Sequence, residues 1–174
     1  VGGIDDLRPF CVFGKINIYA DSITSERLKH SIPYCFGEHK YPGVPNISLN
    51  VIKPHQCLHV GGTEIVPIQI MHDKLPILGY KIGGLMYITD MKSMEDCEFE
   101  YFEGVKVLVV NALRFSPDHH SHLTVGQAID FARKVGAGQT FFTHMGHDIG
   151  LHSVVNDALP DDIKLAFDGQ IIEI

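Results

Sequence analysis

Ile65-Val66-Pro67-Ile68-Gln69-Ile70-Met71-His72 and Leu85-Met86-Tyr87-Ile88-Thr89-Asp90 are the segments on which the fold turns. Each is an apolar run of strand length that stops at a side chain able to bind a metal. Between them, Leu78-Gly79-Tyr80-Lys81-Ile82, the pair Gly83-Gly84 and the run from Leu85 to Thr89 have the form of a hairpin. A third run, Thr140-Phe141-Phe142-Thr143, stops at His144 in the same way. Polar groups at the ends of apolar strands are how a β scaffold presents ligands at one rim. His72, Asp90 and His144 are therefore the candidate metal ligands, and neutral imidazole with carboxylate suits zinc, manganese or iron. Strand-end groups hydrogen-bonded to the backbone are the plainer alternative for the same three residues.

Working outward, Lys15 to Tyr19 reads as a short strand and Ser22 to Cys35 as a helix, with Ser22 or Thr24 as its cap. Glu38 to Pro45 is rich in turn formers and reads as a loop. Strands near Ile47–Ile52, Cys57–Val60 and Thr63–Gln69 follow, with Gly61-Gly62 as a tight turn. Met94 to Phe102 reads as a short helix and Val105 to Asn111 as a buried strand. Val125, Ala128, Ile129, Phe131 and Ala132 lie at helical spacing within Thr124–Val135. A strand from Gln139 to Thr143 and a helix near Leu151–Ala158 come next. Ile163 to Ile174 reads as a hairpin around Asp168-Gly169. Strands that become interleaved with helices imply a layered α/β fold, and no linker or repeat divides the 174 residues, so one domain over 1–174 is expected.

Composition limits the function. A formal charge of −7 argues against tracking along a nucleic-acid backbone, which needs a basic face. It leaves room for a small phosphorylated substrate. No apolar run approaches the ~20 residues of a membrane span. Cys11, Cys35, Cys57 and Cys97 are scattered, with no C-x-x-C pair, so a zinc ribbon or disulfide scaffold is not expected. Thiols in a reducing compartment, and hence a cytoplasmic protein, are the expectation.

Histidine is the unusual residue type, with eleven copies, several of them in two groups: His119, His120 and His122, then His144, His147 and His152. In order along the chain stand Gly3-Ile4-Asp5-Asp6-Leu7-Arg8-Pro9-Phe10, His72-Asp73-Lys74-Leu75-Pro76-Ile77-Leu78-Gly79-Tyr80, Tyr87-Ile88-Thr89-Asp90, His119-His120-Ser121-His122-Leu123-Thr124 and Thr143-His144-Met145-Gly146-His147. Each is modest alone. Together, and in this order, they resemble the successive motifs of the metallo-β-lactamase superfamily. The branch they resemble is that of the phosphoribosyl cyclic phosphodiesterases and the tRNA 3′-processing endonucleases.

The resemblance implies an αββα sandwich, incomplete here on its N-terminal side, because the family's H-x-H-x-D-H motif is absent from the 174 residues. In this branch that motif lies directly before a segment resembling Val1 to Arg8, so the sequence is expected to begin just after it. It also implies two divalent metals, zinc or manganese, with His72 completing one site, His144 the other and Asp90 bridging them. With the remaining ligands missing, weak or partial occupancy and no activity of this chain alone are expected. By the same resemblance His122 is the proton donor to a leaving oxygen or a phosphate contact, with His120 as the alternative. His147 is either a partner of His144 or a solvent-facing group, and Arg114 a phosphate contact or an ordinary surface arginine. The implied activity is hydrolysis of a small cyclic or nucleotide-like phosphodiester. Lactone or thioester hydrolysis, and a non-catalytic remnant that self-associates as a homodimer, are the alternatives.

Overall fold

Alternating apolar residues pair into two sheets, one in each of two compact units, Val1–Lys53 and Pro54–Ile174. The structure is a computed structural model that describes residues 2–37 and 41–174. Residues 38–40 of the loop expected from Glu38 to Pro45, and Val1, lie outside the described residues.

The first unit is a βαβ arrangement. A 3-10 helix, Ile4–Phe13, leads into β1 (Ile16–Ala20), α1 (Ser22–Ser31) and β2 (Ile47–Val51), which pairs parallel to β1. The helix is capped by Asp21, whose carboxylate accepts from Thr24 N at 2.9 Å and from its hydroxyl at 2.6 Å, rather than by Ser22 or Thr24. A carboxylate satisfies an unpaired helix N–H as well as a hydroxyl does, and it carries the charge that the helix N-terminus favours. Pro33, which cannot extend an α-helix, ends α1 early and starts a separate 3-10 turn, Pro33–Cys35. Ile32, Cys35 and Ile47 form this unit's core with Ile4, Leu7, Ile16 and Ile18 around them.

The second unit is a seven-stranded sheet in the order β3 (Leu58–Val60), β4 (Thr63–His72), β5 (Leu75–Ile82), β6 (Leu85–Ile88), β7 (Val107–Asn111), β8 (Gln139–Thr143) and β9 (Ile163–Leu165). The first four strands are antiparallel, and β6 to β9 are parallel. Two antiparallel steps return β4 to the direction of β6. The C-terminal ends of β4, β6, β7 and β8 therefore lie at one rim, which is where His72, Asp90, Asn111 and His144 fall. Position along the chain and strand direction together converge residues that are up to 72 positions apart.

Gly61 and Gly62 both take positive φ, 57° and 83°, as a type I′ hairpin turn requires. At the other end of the chain the expected hairpin does not form. Of its turn pair only Gly169 has positive φ, at 83°, and Gln170 N donates to Phe167 O at 3.1 Å. Positive φ at the second central residue alone is the type II pattern, whose twist splays flanking strands apart. Residues 170–174 accordingly form no strand, and among the described residues β9 pairs with β8 only.

Helix α2 (Val125–Val135) begins with a capping box, Thr124 and Gln127 each bonding the other's backbone, and ends on the left-handed Gly136. A 3-10 helix, Asp96–Phe102, stands where Met94–Phe102 was expected, and α3 (His152–Ala158) is short. Val125, Ala128 and Ala132 of α2 pack on Ile68, Ile70, Met86, Ile88, Leu108, Val110 and Phe142. Val107, Val109 and Phe141, the alternate residues of β7 and β8, belong to a separate cluster. No disulfide joins the cysteines, and among the described residues no helix is long and apolar enough to cross a membrane.

Gly79 sits in the most crowded part of this packing. A Cβ there would lie 3.1 Å from Ile88 Cγ1 and 3.2 Å from Ile68 Cγ1, both in fully buried side chains. Gly79→Ala should destabilise the unit by about 1–3 kcal/mol of overpacking, against a gain of at most ~1 kcal/mol from the stiffer unfolded chain. Chemical denaturation checks the sign, and a variant as stable as the parent refutes it.

Candidate metal centre

The rim holds a cluster built entirely from the unit Pro54–Ile174. His144 follows directly on β8 and Asp90 stands one residue beyond the end of β6, after Thr89, and both take left-handed backbone conformations, φ 55° and 59°. Asp and His tolerate that region better than most residues, and strained φ values gather at functional sites. The turn from extended to left-handed backbone breaks each strand's side-chain alternation where the ligand sits. Asp73, the first residue of the β4–β5 turn, does the same beside His72 with φ 55°.

Asp90 Oδ1 is the focus. His122 Nε2 and His144 Nε2 each lie 3.1 Å from this one oxygen. The His122 and His144 rings stack at 4.6 Å, and His72 meets His122 edge-on at 4.8 Å. One ligand atom from each of His72, Asp90 and His122 lies within 4.8 Å of the others. The sequence-predicted ligands His72, Asp90 and His144 are thus brought together, and His122 stands among them. The His122 side chain is 11% exposed. Burial pushes its pKa below the ordinary histidine range, the Asp90 hydrogen bond opposes that, and the neighbouring His144 and His72 push the same way as burial.

A backbone frame holds the cluster. Met71 N donates to Ser93 O at 2.8 Å and Lys92 N to Met71 O at 2.7 Å, which ties the end of β4 to the segment after Asp90. Leu123 N donates to Met91 O at 3.2 Å, Leu113 N to Leu123 O at 2.9 Å and Gly146 N to Leu113 O at 2.8 Å. The loops that carry His122 and His144 are so linked to the one that carries Asp90. At the centre is Asn111, fully buried at the end of β7. Its Oδ1 accepts from Met91 N at 2.8 Å and its Nδ2 donates to Met91 O at 3.0 Å.

Asn111 and Ser121 escaped the sequence reading. Asn111 looks like the last residue of an apolar strand, and a polar residue ending Val107-Leu108-Val109-Val110 was the available signal. Ser121 is buried between histidines, with Oγ 3.0 Å from His122 Nδ1 and 3.2 Å from His119 Nδ1. His119 Nδ1 is also 3.0 Å from His122 Nδ1, and the His119 ring packs tilted against the exposed His120 at 4.5 Å. His120 therefore reaches the cluster through His119. The His147 side chain is 95% exposed, with Nε2 3.1 Å from Asp148 Oδ1, so it is the solvent-facing alternative. Arg114 Nε donates to Pro117 O at 3.0 Å and braces its own loop. Lys92 Nζ lies 2.8 Å from Asp118 and 3.2 Å from Gln127 Oε1, joining the segment after Asp90 to the start of α2.

These donors fit divalent metals. Imidazole nitrogens and a carboxylate crowd around one point, where their lone pairs repel unless a proton or cation sits between them. His72, Asp90 and His144, with His122 beside them, are a nitrogen–oxygen set of the kind that zinc or manganese accepts.

Known proteins carry the same arrangement of elements. A family model described as the Beta-lactamase superfamily domain matches residues 1–145. The chain is 36% identical over 169 residues to a Porphyromonas gingivalis (strain ATCC BAA-308 / W83) protein named Octanoyltransferase, covering 97% of this chain and 34% of that protein. It is 32% identical, with a TM-score of 0.85, to a solved structure described as a new diphosphatase from the PhnP family, covering 97% of this chain and 63% of that one. The short form of human tRNase Z has the same fold at 14% identity, with a TM-score of 0.64 over 99% of this chain and 74% of its own. The chain thus spans about a third of the curated relative's length and less than two thirds of the solved PhnP-family chain. On the matched residues, the fold and the ordered motifs, the chain belongs to the metallo-β-lactamase superfamily, in its PhnP-like branch.

Proposed function

We propose that the protein is a metal-dependent hydrolase of small phosphodiesters. The observation that carries the reading is the convergence of His122 Nε2 and His144 Nε2 on one oxygen of Asp90, each at 3.1 Å, with His72 alongside. The 32% identity to a PhnP-family diphosphatase supports the phosphorus-centred substrate. In this reading His72, Asp90 and His144 hold the metals, with Asp90 shared. Bound there, divalent metals supply an activated hydroxide and neutralise charge building on the phosphoryl oxygens.

The chain's own groups then handle orientation and protons. Burial holds the pKa of His122 below the ordinary histidine range, and Nε2 carries the proton that faces Asp90 Oδ1. Nδ1, on the side of Ser121 and His119, takes up a second proton from solvent, and Asp90 steadies the resulting imidazolium. The charged ring then gives the proton to the departing oxygen. Ser121 Oγ and His119 Nδ1, each 3.0 Å from Nδ1, fix the ring's orientation during both steps. His120, packed on His119, is the alternative proton donor at the cluster's outer edge.

The test uses the full-length protein loaded with zinc or manganese. Cleavage of a phosphodiester, abolished by chelation, is the expected result. His122→Gln should lower kcat about 10²-fold for an alkyl leaving group, which needs a proton. It should cost far less for p-nitrophenolate, which leaves unprotonated. Equal losses on the two substrates refute the donor role. One observation favours a second reading, acyl thioester hydrolysis: the 36%-identical relative is named an octanoyltransferase. Faster turnover of an octanoyl thioester than of any phosphodiester would replace the first reading with the second.

A further inference from the structure

We propose that Cys57, His59 and Glu64 form a second metal site, a surface site of zinc chemistry on the β3–β4 hairpin. Cys57 directly precedes β3 and His59 lies within it, and their ligand atoms come together on one side of the hairpin. Glu64 is the direct antiparallel partner of His59, which puts its side chain on that side too. One ligand atom from each of the three lies within 4.8 Å of the others, and His59 Nε2 is 3.8 Å from Glu64 Oε2.

The hairpin keeps that register. Gly61 and Gly62 make a two-residue turn with both φ values positive, a geometry that fixes which residues stand opposite each other. Around a zinc ion, ligands at 2.0–2.3 Å in tetrahedral array stand about 3.4–3.8 Å apart. All three side chains are exposed, so rotation about their own bonds closes the gap without moving the backbone. Without an ion, His59 and Glu64 form an exposed cross-strand pair, worth little, and the Cys57 thiol hydrogen-bonds the Glu64 carboxylate. Cys57 adds a soft ligand that Mg²⁺ and Ca²⁺ do not favour. Thiolate, imidazole and carboxylate together select zinc and its borderline neighbours, with a fourth position open to water.

This site is separate from the histidine cluster. Glu64 and His72 stand near opposite ends of β4, eight residues apart, or about 26 Å at ~3.3 Å per strand residue. The two also differ in donors: the rim cluster offers nitrogen and oxygen alone, whereas the hairpin offers sulfur. A bound ion would clip the three-residue edge strand β3 to β4.

Cobalt(II) titration of the full chain, followed by absorption, reads the difference. A thiolate-to-cobalt charge-transfer band should rise to about one equivalent in the parent protein. It should disappear in Cys57→Ser, weaken at least tenfold in apparent affinity in His59→Ala, and remain in Asp90→Asn. No band at saturating cobalt overturns the proposal. So does a band that survives Cys57→Ser, since it would belong to Cys11, Cys35 or Cys97. Cys57 and His59 are exposed, so loss of the fold does not obscure the result at the hairpin.

Discussion

Asp90→Asn should cost the full-length protein at least ~10³-fold in kcat/KM for a phosphodiester, about 4 kcal/mol at 1.36 kcal/mol per decade. It should also strip divalent metal on desalting. The size follows from the sharing of one oxygen. His122 Nε2 and His144 Nε2 both lie 3.1 Å from Asp90 Oδ1, so a single substitution removes the one negative charge that the clustered imidazoles face there. Asparagine is the informative replacement because, like aspartate, it tolerates the left-handed conformation at φ 59°, whereas alanine would add ~1–2 kcal/mol of backbone strain. Loss of function in Asp90→Asn is then a loss of charge and not of fold. A second readout needs no turnover. The Asp90 hydrogen bond raises the pKa of His122 against the lowering by burial and by the neighbouring His144 and His72. Without the carboxylate, His122 in the metal-free protein should titrate at still lower pH. Proton NMR of the imidazoles follows it. A variant that retains metal through desalting and turns over normally would remove Asp90 from the centre of the site.

Much of this was legible because the relevant signals are local. Strand ends at His72, Asp90 and His144 are visible as apolar runs that stop, and the Gly-Gly pairs announce hairpins. The Thr124-x-x-Gln127 box and Gly136 bracket α2. What the local signals lack is direction and register. That His72 shares a rim with Asp90 depends on β4 being two antiparallel steps from β6. The Asp168-Gly169 pair shows the limit most clearly. The same dipeptide serves type I′ and type II turns, and only the backbone at Asp168, which does not go to positive φ, separates a hairpin from a bend. His122 illustrates a different gap. Its motif placed it near the chemistry, but its approach to 3.1 Å from Asp90 is produced by Leu123 N donating to Met91 O, a contact 32 residues apart in sequence. Asn111 was missed for the same reason, since it acts through Met91, 20 residues away.

Asn111 should prove the most consequential of the residues that touch no metal. Its amide both accepts from Met91 N and donates to Met91 O, at 2.8 and 3.0 Å, in a site where Asn111 and Met91 are both almost fully buried. Asn111→Leu fills similar space but leaves Met91 N without an acceptor, while Met91 O keeps Leu123 N as a donor. One unsatisfied buried N–H costs about 1–3 kcal/mol, and the poorer shape match adds about 1 kcal/mol, so the loss should be about 2–4 kcal/mol by denaturant unfolding. Asn111→Asp separates the two hydrogen bonds. The carboxylate keeps the acceptor for Met91 N but faces Met91 O with a negative charge instead of a donor. A buried carboxyl has a folded pKa above its unfolded one, so the penalty is present at neutral pH and shrinks as the pH falls through the folded value and the group gains a proton to donate. The stability gap between Asn111→Asp and the parent should therefore narrow on acidification, whereas the gap for Asn111→Leu should not respond to this carboxyl. Because Met91 follows Asp90 directly, both variants should also weaken metal retention, although Asn111 contributes no ligand. If Asn111→Leu retains metal as the parent does while losing stability, then the clamp holds the core and not the site. If it loses neither, the Met91 contacts carry no energetic weight.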